Sequence, residues 1–189
     1  KGDGKGCYRY FEAEMNIRVM ARRKIESELH QAFMTGALEI HYQPLVSLSS
    51  REVSGFEALL RWPHPERGYV PPSEFIPIAE ECGLIAPITD FVLQRACHDA
   101  TRWPKKARLA VNMSPQRFRV GNVFQAVSDA LRSSGLEPQR LELEITEALL
   151  LENSESVLSI LHAIRRLGVR ISMDDFGTGY SSLSYLRMF

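Results

Sequence analysis

The sequence predicts an α/β protein built like a TIM-type (β/α)8 barrel, of which this chain carries about five strands and their outer helices. Short apolar runs alternate with helix-patterned stretches, a rhythm that fits strands paired in parallel with helices outside. Acidic or amide residues recur at the ends of successive runs, where a barrel of this kind places its site. The chain has 189 residues, whereas a closed barrel takes about 250, so it ends before all eight strands are supplied.

The elements follow in order. Lys1 to Gly6 is rich in glycine and lysine, and Cys7-Tyr-Arg-Tyr-Phe11 reads as a short strand. Glu12 to Ala37 is helical, with Ile25, Leu29 and Phe33 on one stripe and Gly36 as the stop signal. Leu38 to Gln43 and Val53 to Leu60 read as the first two strands, separated by a turn-like Ser47 to Glu52. A proline-rich connection leads to a helix near Ser73 to Cys82 with Ser73 as its cap, and a longer helix spans Pro87 to Arg102. Leu109 to Met113 is the third strand, and the helix from Asn122 to Ser133 is stopped by Gly135. Leu141 to Thr146 is the fourth strand, and Glu155 to Leu167 a helix stopped by Gly168. Val169 to Met173 is the fifth strand, and Tyr180 to Phe189 opens a further helix.

Composition narrows the classes. With 44% hydrophobic and 24% charged residues the chain is an ordinary globular protein. Its 23 basic and 23 acidic residues cancel, so no global basic field draws in a DNA or RNA polymer. Cys7, Cys82 and Cys97 form no paired or zinc-type pattern and read as reduced thiols of a cytoplasmic chain. His41, His64, His98 and His162 are scattered and read as satisfied surface or core histidines. No apolar run approaches the roughly 18 residues of a membrane span, which leaves an anchor elsewhere in a longer parent protein open.

The chemistry lies in the polar residues near strand ends. Asp174 and Asp175 stand where the last strand meets the turn Phe176-Gly-Thr-Gly179. Adjacent carboxylates repel unless a cation or strong donors neutralise them, and hard divalent ions prefer such oxygens. Glu57, Asn112 and Glu144 add an oxygen from each of three earlier strands. That set fits an octahedral divalent ion and not zinc, and a pair of ions roughly 3.5–4 Å apart would suit phosphoester hydrolysis. Arg61, four residues past Glu57, is the nearest guanidinium for a phosphate. Gly177, Thr178 and Gly179 would make a metal-responsive flap. Plainer readings stand beside these: aspartates that cap a helix, Glu57 at an exposed edge, Asn112 as a turn residue before Ser114-Pro115, Glu144 on the wet face of an antiparallel sheet, and Arg61 stacked on Trp62.

Ordered landmarks sharpen the choice. They are Tyr42-Gln-Pro44, Glu57-Ala-Leu-Leu-Arg-Trp62, His64-Pro65, Phe75-Ile-Pro77, Ala79-Glu80, Val111-Asn-Met-Ser114, Glu144-Ile-Thr-Glu147 and Asp174 through Leu183. In this order the chain from about residue 38 to 189 resembles the EAL family of cyclic di-GMP phosphodiesterases. Gly4 through Met15 is similar to the closing strand and exit of a GGDEF, diguanylate cyclase-type, domain. The resemblance implies residues 1–11 as the tail of a GGDEF-like domain, 12–37 as a connecting helix and 38–189 as the N-terminal part of an EAL domain. It also implies hydrolysis of cyclic di-GMP to linear pGpG with Mg2+ or Mn2+, two ions in all. Glu57, Asn112, Glu144 and Asp174 would ligate the first ion, and Asp175 would help hold the second. Gln43 and Arg61 would contact the substrate, with Leu59 packed against it. Glu147 and the loop from Phe176 to Ser182 would couple metal binding to a homodimer interface. The family's activating lysine on strand six, and a glutamate and glutamine from later strands, fall beyond Phe189. The chain as it stands is therefore expected to be inactive and to belong to a longer active protein. A catalytically silent cyclic di-GMP receptor, or a dimerisation module relaying signals through the first helix, are the competing readings.

Overall fold

A computed structural model describes residues 13–147, 149 and 155–174. The expected strand Cys7–Phe11, the GGDEF-like tail, Asp175, the turn Phe176–Gly179 and the helix from Tyr180 lie outside the described residues. The elements are α1 (Ala13–Met34), β1 (Glu39–Val46), β2 (Val53–His64), β3 (Gly68–Val70), α2 (Pro72–Glu81), α3 (Ile85–Ala100), β4 (Arg108–Met113), α4 (Pro115–Val120), α5 (Val123–Ser134), β5 (Leu141–Thr146), α6 (Glu155–Arg166) and β6 (Arg170–Asp174). They build an α/β fold with a partial barrel sheet in the order β1-β2-β4-β5-β6, and β3 pairs with β2 to one side.

β2, β4, β5 and β6 are parallel, as the rhythm predicts. β1 departs from it and runs antiparallel to β2. The cause is the connection: Ser47–Glu52 can turn a hairpin but cannot make the crossover that parallel strands need. Pro44 sits in β1 without loss because β1 is an edge of the described sheet.

Side-chain alternation divides the sheet. On β5, Leu141, Leu143 and Ile145 are at most 1% exposed, while Glu142, Glu144 and Thr146 are half-buried. The apolar set joins Leu109, Val111, Leu93, Val127, Leu131, Leu161 and Ile164 in one core under the helices. Each such side chain withdrawn from water contributes roughly 1.5–3 kcal/mol. The opposite face is the barrel interior, and its lower end holds an Arg108–Glu142 ion pair at 3.1 Å. Arg140 is buried beneath it and donates to the carbonyls of Ala107 (3.0 Å) and Ala100 (2.7 Å), closing the approach to β5.

Several boundaries move. β2 continues to His64, and a three-residue β3 occupies what reads as a proline-rich connection. Pro71 is the N-cap of α2, with Pro72 in the first turn and Ser73 already inside the helix. Proline is tolerated there because the first-turn N–H has no intrahelical acceptor. α3 starts at Ile85 and takes Pro87 into its own first turn for the same reason. α1 buries Leu29 fully and Ile25 and Phe33 partly, then ends at Gly36 with φ +70°. Its Glu28 lies 3.4 Å from the buried imidazole of His64, tying the helix to the end of β2.

Candidate functional site

Register decides which side chains share a face. Glu57 pairs with Ala110 on β4, so Asn112, two residues on, points the same way near the strand's C-terminal end. Asn112 pairs directly with Glu144, Glu144 with Ser172, and Asp174 again lies two residues further along β6. The four predicted ligands therefore stand on the interior face of four neighbouring parallel strands, Asn112, Glu144 and Asp174 near the C-terminal ends of β4, β5 and β6, and Glu57 within the part of β2 that pairs with β4. Glu57 and Glu144 are half-buried, and Asn112 and Asp174 exposed.

The donors interact. Asn112 Nδ2 donates to Glu57 Oε1 at 2.6 Å, which orients that carboxylate. Burial, then the charges of Glu57, Asp174 and Glu142, push the Glu144 carboxyl up to about 7. Like charges crowded at one rim are what a divalent cation neutralises, and every donor is a hard oxygen. Among the described residues, no three His, Cys, Asp or Glu side chains stand close enough to hold an ion as arranged. The fit thus rests on the donor chemistry and on the repulsion at Glu144.

The remaining site residues fall into two groups. Gln43 is the cross-strand partner of Glu57, and Leu59 and Arg61 continue the same face of β2. Arg61 Nη1 donates to the Leu60 carbonyl at 2.9 Å. It does not stack on Trp62, which points the other way, is 1% exposed and packs edge-on against Phe75. Glu147 is buried just past β5. Asp175, Phe176, Gly177, Thr178 and Gly179 lie outside the described residues.

A cleft of about 320 Å3 opens beside these donors, lined in part by Leu59, Arg61, Glu80, Asn112, Ser114 and Glu144. Ser114 and Glu80 are additions that sequence reasoning missed as site neighbours. Ser114 Oγ donates to the Glu80 carboxylate and accepts from Gln116 N at 3.2 Å, capping α4. The signal for that short helix was Ser114 before Pro115. α4 is anchored in turn by the buried Arg117, 2.9 Å from Asp90 on α3. The segment after Asn112 is thereby braced from two helices.

Comparison with known proteins identifies the family and the fold. A family model described as the EAL domain matches residues 26–189. The chain is 48% identical over 189 residues to the uncharacterized protein y4lL of Sinorhizobium fredii, covering 100% of this chain and 23% of that protein. It is 39% identical over 191 residues to the bifunctional diguanylate cyclase/cyclic di-GMP phosphodiesterase MucR of Pseudomonas aeruginosa, covering 99% of this chain and 28% of that one. The solved structure of the PaMucR phosphodiesterase in complex with c-di-GMP matches with a TM-score of 0.84 at 40% identity, over 88% of this chain and 69% of that chain. The chain spans about a quarter of the length of the curated relatives it matches. On the family match and on the shared fold, the chain belongs to the EAL domain family.

Proposed function

We propose that this chain supplies the site of a metal-dependent phosphodiesterase that hydrolyses cyclic di-GMP to linear pGpG. The observation that carries the reading is the placement of Glu57, Asn112, Glu144 and Asp174 on one face of four neighbouring parallel strands. The names of two relatives, cyclic di-GMP phosphodiesterases of Pseudomonas aeruginosa and Escherichia coli at 40% and 39% identity, support the substrate.

In this reading Glu57, Asn112, Glu144 and Asp174 hold Mg2+ or Mn2+, with Asp175 contributing to a second ion. Bound ions of this kind polarise a phosphoryl oxygen and lower the pKa of water. The chain's own residues bind and orient. Asn112 holds the Glu57 carboxylate in one rotamer through its amide. Arg61 presents a planar guanidinium suited to a phosphate. Gln43 offers an amide beside Glu57, and Leu59 covers the sugar-phosphate against water. Water oxygen bonds to phosphorus, the P–O3′ bond breaks, and the products are a 5′-phosphate and a 3′-hydroxyl on one linear dinucleotide.

The same reading assigns residues 1–11 to a GGDEF-like domain, uses α1 as the connector, and pairs two copies through the EAL domain. A hydrolysis assay of the full-length protein with cyclic di-GMP and Mg2+ or Mn2+ tests it. Release of pGpG is expected. Bound substrate without turnover under either ion would reject the reading in favour of a receptor.

A further inference from the structure

The interior face of β1 and β2 continues outward past Arg61. Gln43 stands opposite Glu57, His41 opposite Leu59 and Glu39 opposite Arg61. On the next ladder Tyr69 of β3 stands opposite Pro63. Cross-strand partners share a face, so Glu39, His41 and Tyr69 extend the row that holds Glu57 and Arg61. At about 3.4 Å per residue, the row from Glu57 to Pro63 runs roughly 20 Å, the scale of two linked nucleotides.

Glu39 organises this outer end. Its Oε2 accepts from His41 Nε2 at 3.1 Å and from the Tyr69 hydroxyl at 3.0 Å. The two rings meet edge to face, with centroids 5.6 Å apart and planes at 69°. All three residues are about half exposed: His41 and Glu39 side chains at 50% and 48%, and Tyr69 at 56%. A carboxylate and a guanidinium directly across a ladder ordinarily pair. Here Glu39 turns to the two rings, while Arg61 Nη1 bonds the Leu60 carbonyl. The rim therefore keeps an anion-binding cation and a ring-bearing carboxylate side by side without either quenching the other.

That juxtaposition has a chemical match. An aromatic wall stacks a nucleobase whatever its identity, because every base has a π-face. A carboxylate is an acceptor only, with an oxygen to spare at Glu39 because both donors end on Oε2. Guanine offers N1–H and N2–H2 as adjacent donors on its Watson–Crick edge, whereas adenine offers an acceptor at N1.

We propose that Glu39, His41 and Tyr69 form an outer guanine subsite, in which the base stacks on Tyr69 and donates to Glu39 while the adjoining phosphate lies at Arg61. The proposal rests on the cyclic di-GMP reading given above.

The test uses steady-state kinetics of the full-length protein with cyclic di-GMP, and cyclic di-AMP as competitive inhibitor. Tyr69→Ala raises KM about tenfold with kcat within about twofold, as expected for lost stacking. Tyr69→Phe, which keeps the ring but loses the hydroxyl bond to Glu39, raises KM less than Tyr69→Ala does. Glu39→Gln narrows the gap between the cyclic di-AMP inhibition constant and the cyclic di-GMP KM by about tenfold. Wild-type KM and selectivity in both Tyr69→Ala and Glu39→Gln overturn the subsite alone. A wild-type protein that neither binds nor hydrolyses cyclic di-GMP overturns the subsite together with the function beneath it.

Discussion

Asn112 and Glu57 lie 55 residues apart in the chain, yet the amide of one donates to the carboxylate of the other at 2.6 Å. The bond spans two parallel strands and links the EAL motif of β2 to the end of β4. It holds because β2 and β4 pair with Glu57 beside Ala110, which sets Asn112 one side-chain step further up the same face.

Glu57→Ala removes one partner of that bond and one candidate ligand. Turnover of cyclic di-GMP falls by more than about a hundredfold, while the urea midpoint stays close to wild type because Glu57 is only half-buried. Global unfolding of the variant would contradict the site assignment, and circular dichroism reads it directly.

On the proposed metal site, divalent ions are expected to stabilise the folded chain. At saturating Mn2+ the gain is about 2.7 kcal/mol for ligand at a hundred times Kd, or roughly 5–10 °C in Tm for a chain of this size. Glu144→Gln lacks the charge that a cation relieves and keeps the metal-free Tm within about 3 °C. Its Mn2+-induced rise shrinks below roughly 2 °C. An equal rise in both proteins, measured by differential scanning fluorimetry, removes Glu144 from the ligand set.

Gly55→Ala breaks the frame and not the chemistry. A Cβ at Gly55 would stand 2.5 Å from the backbone carbonyl oxygen of Arg108, where neither strand can yield without losing register. The substitution costs about 3 kcal/mol, seen as a lower urea midpoint. Residual folded protein binds metal less tightly because Glu57 and Asn112 no longer align. A wild-type midpoint would show that β2 and β4 are not this close.

Thiol labelling separates Cys97 from Cys82. Burial pushes the Cys97 thiol from 9.0 up to about 12, and it is 0% exposed, whereas Cys82 is partly exposed. The thiolate is the reactive form, so raising the pKa by three units cuts it roughly a thousandfold at pH 8. Iodoacetamide therefore modifies Cys82 and spares Cys97 in the native protein, by mass spectrometry, and modifies both in urea. Equal native labelling would place Cys97 outside the core.

Much of this was legible in one dimension. The alternation of Leu141, Leu143 and Ile145 with Glu142, Glu144 and Thr146 announces which face meets the helices and which lines the interior. The four donors could be named because Glu57 interrupts an apolar run, Glu144 alternates with apolar residues, and Asn112 and Asp174 stand near or at the end of one. The direction of β1 was harder to read, since apolar patterning is blind to strand polarity and only the short Ser47–Glu52 turn carries it. β3 and α4 are too short to show a period, and prolines on either side of Tyr69 disguise the first. The Glu39–His41–Tyr69 cluster depends on the register of two ladders, which no local pattern encodes.

The antiparallel β1–β2 hairpin has a kinetic consequence. Its residues close a short loop, whereas β2 must wait for the whole of α2 and α3 before β4 can dock beside it. The half of the rim bearing Gln43, Glu57 and Arg61 is therefore expected to gain amide-exchange protection first during refolding, as a template on which the later strands register. Simultaneous protection of β2 and β5 in pulse labelling would show that assembly is concerted instead.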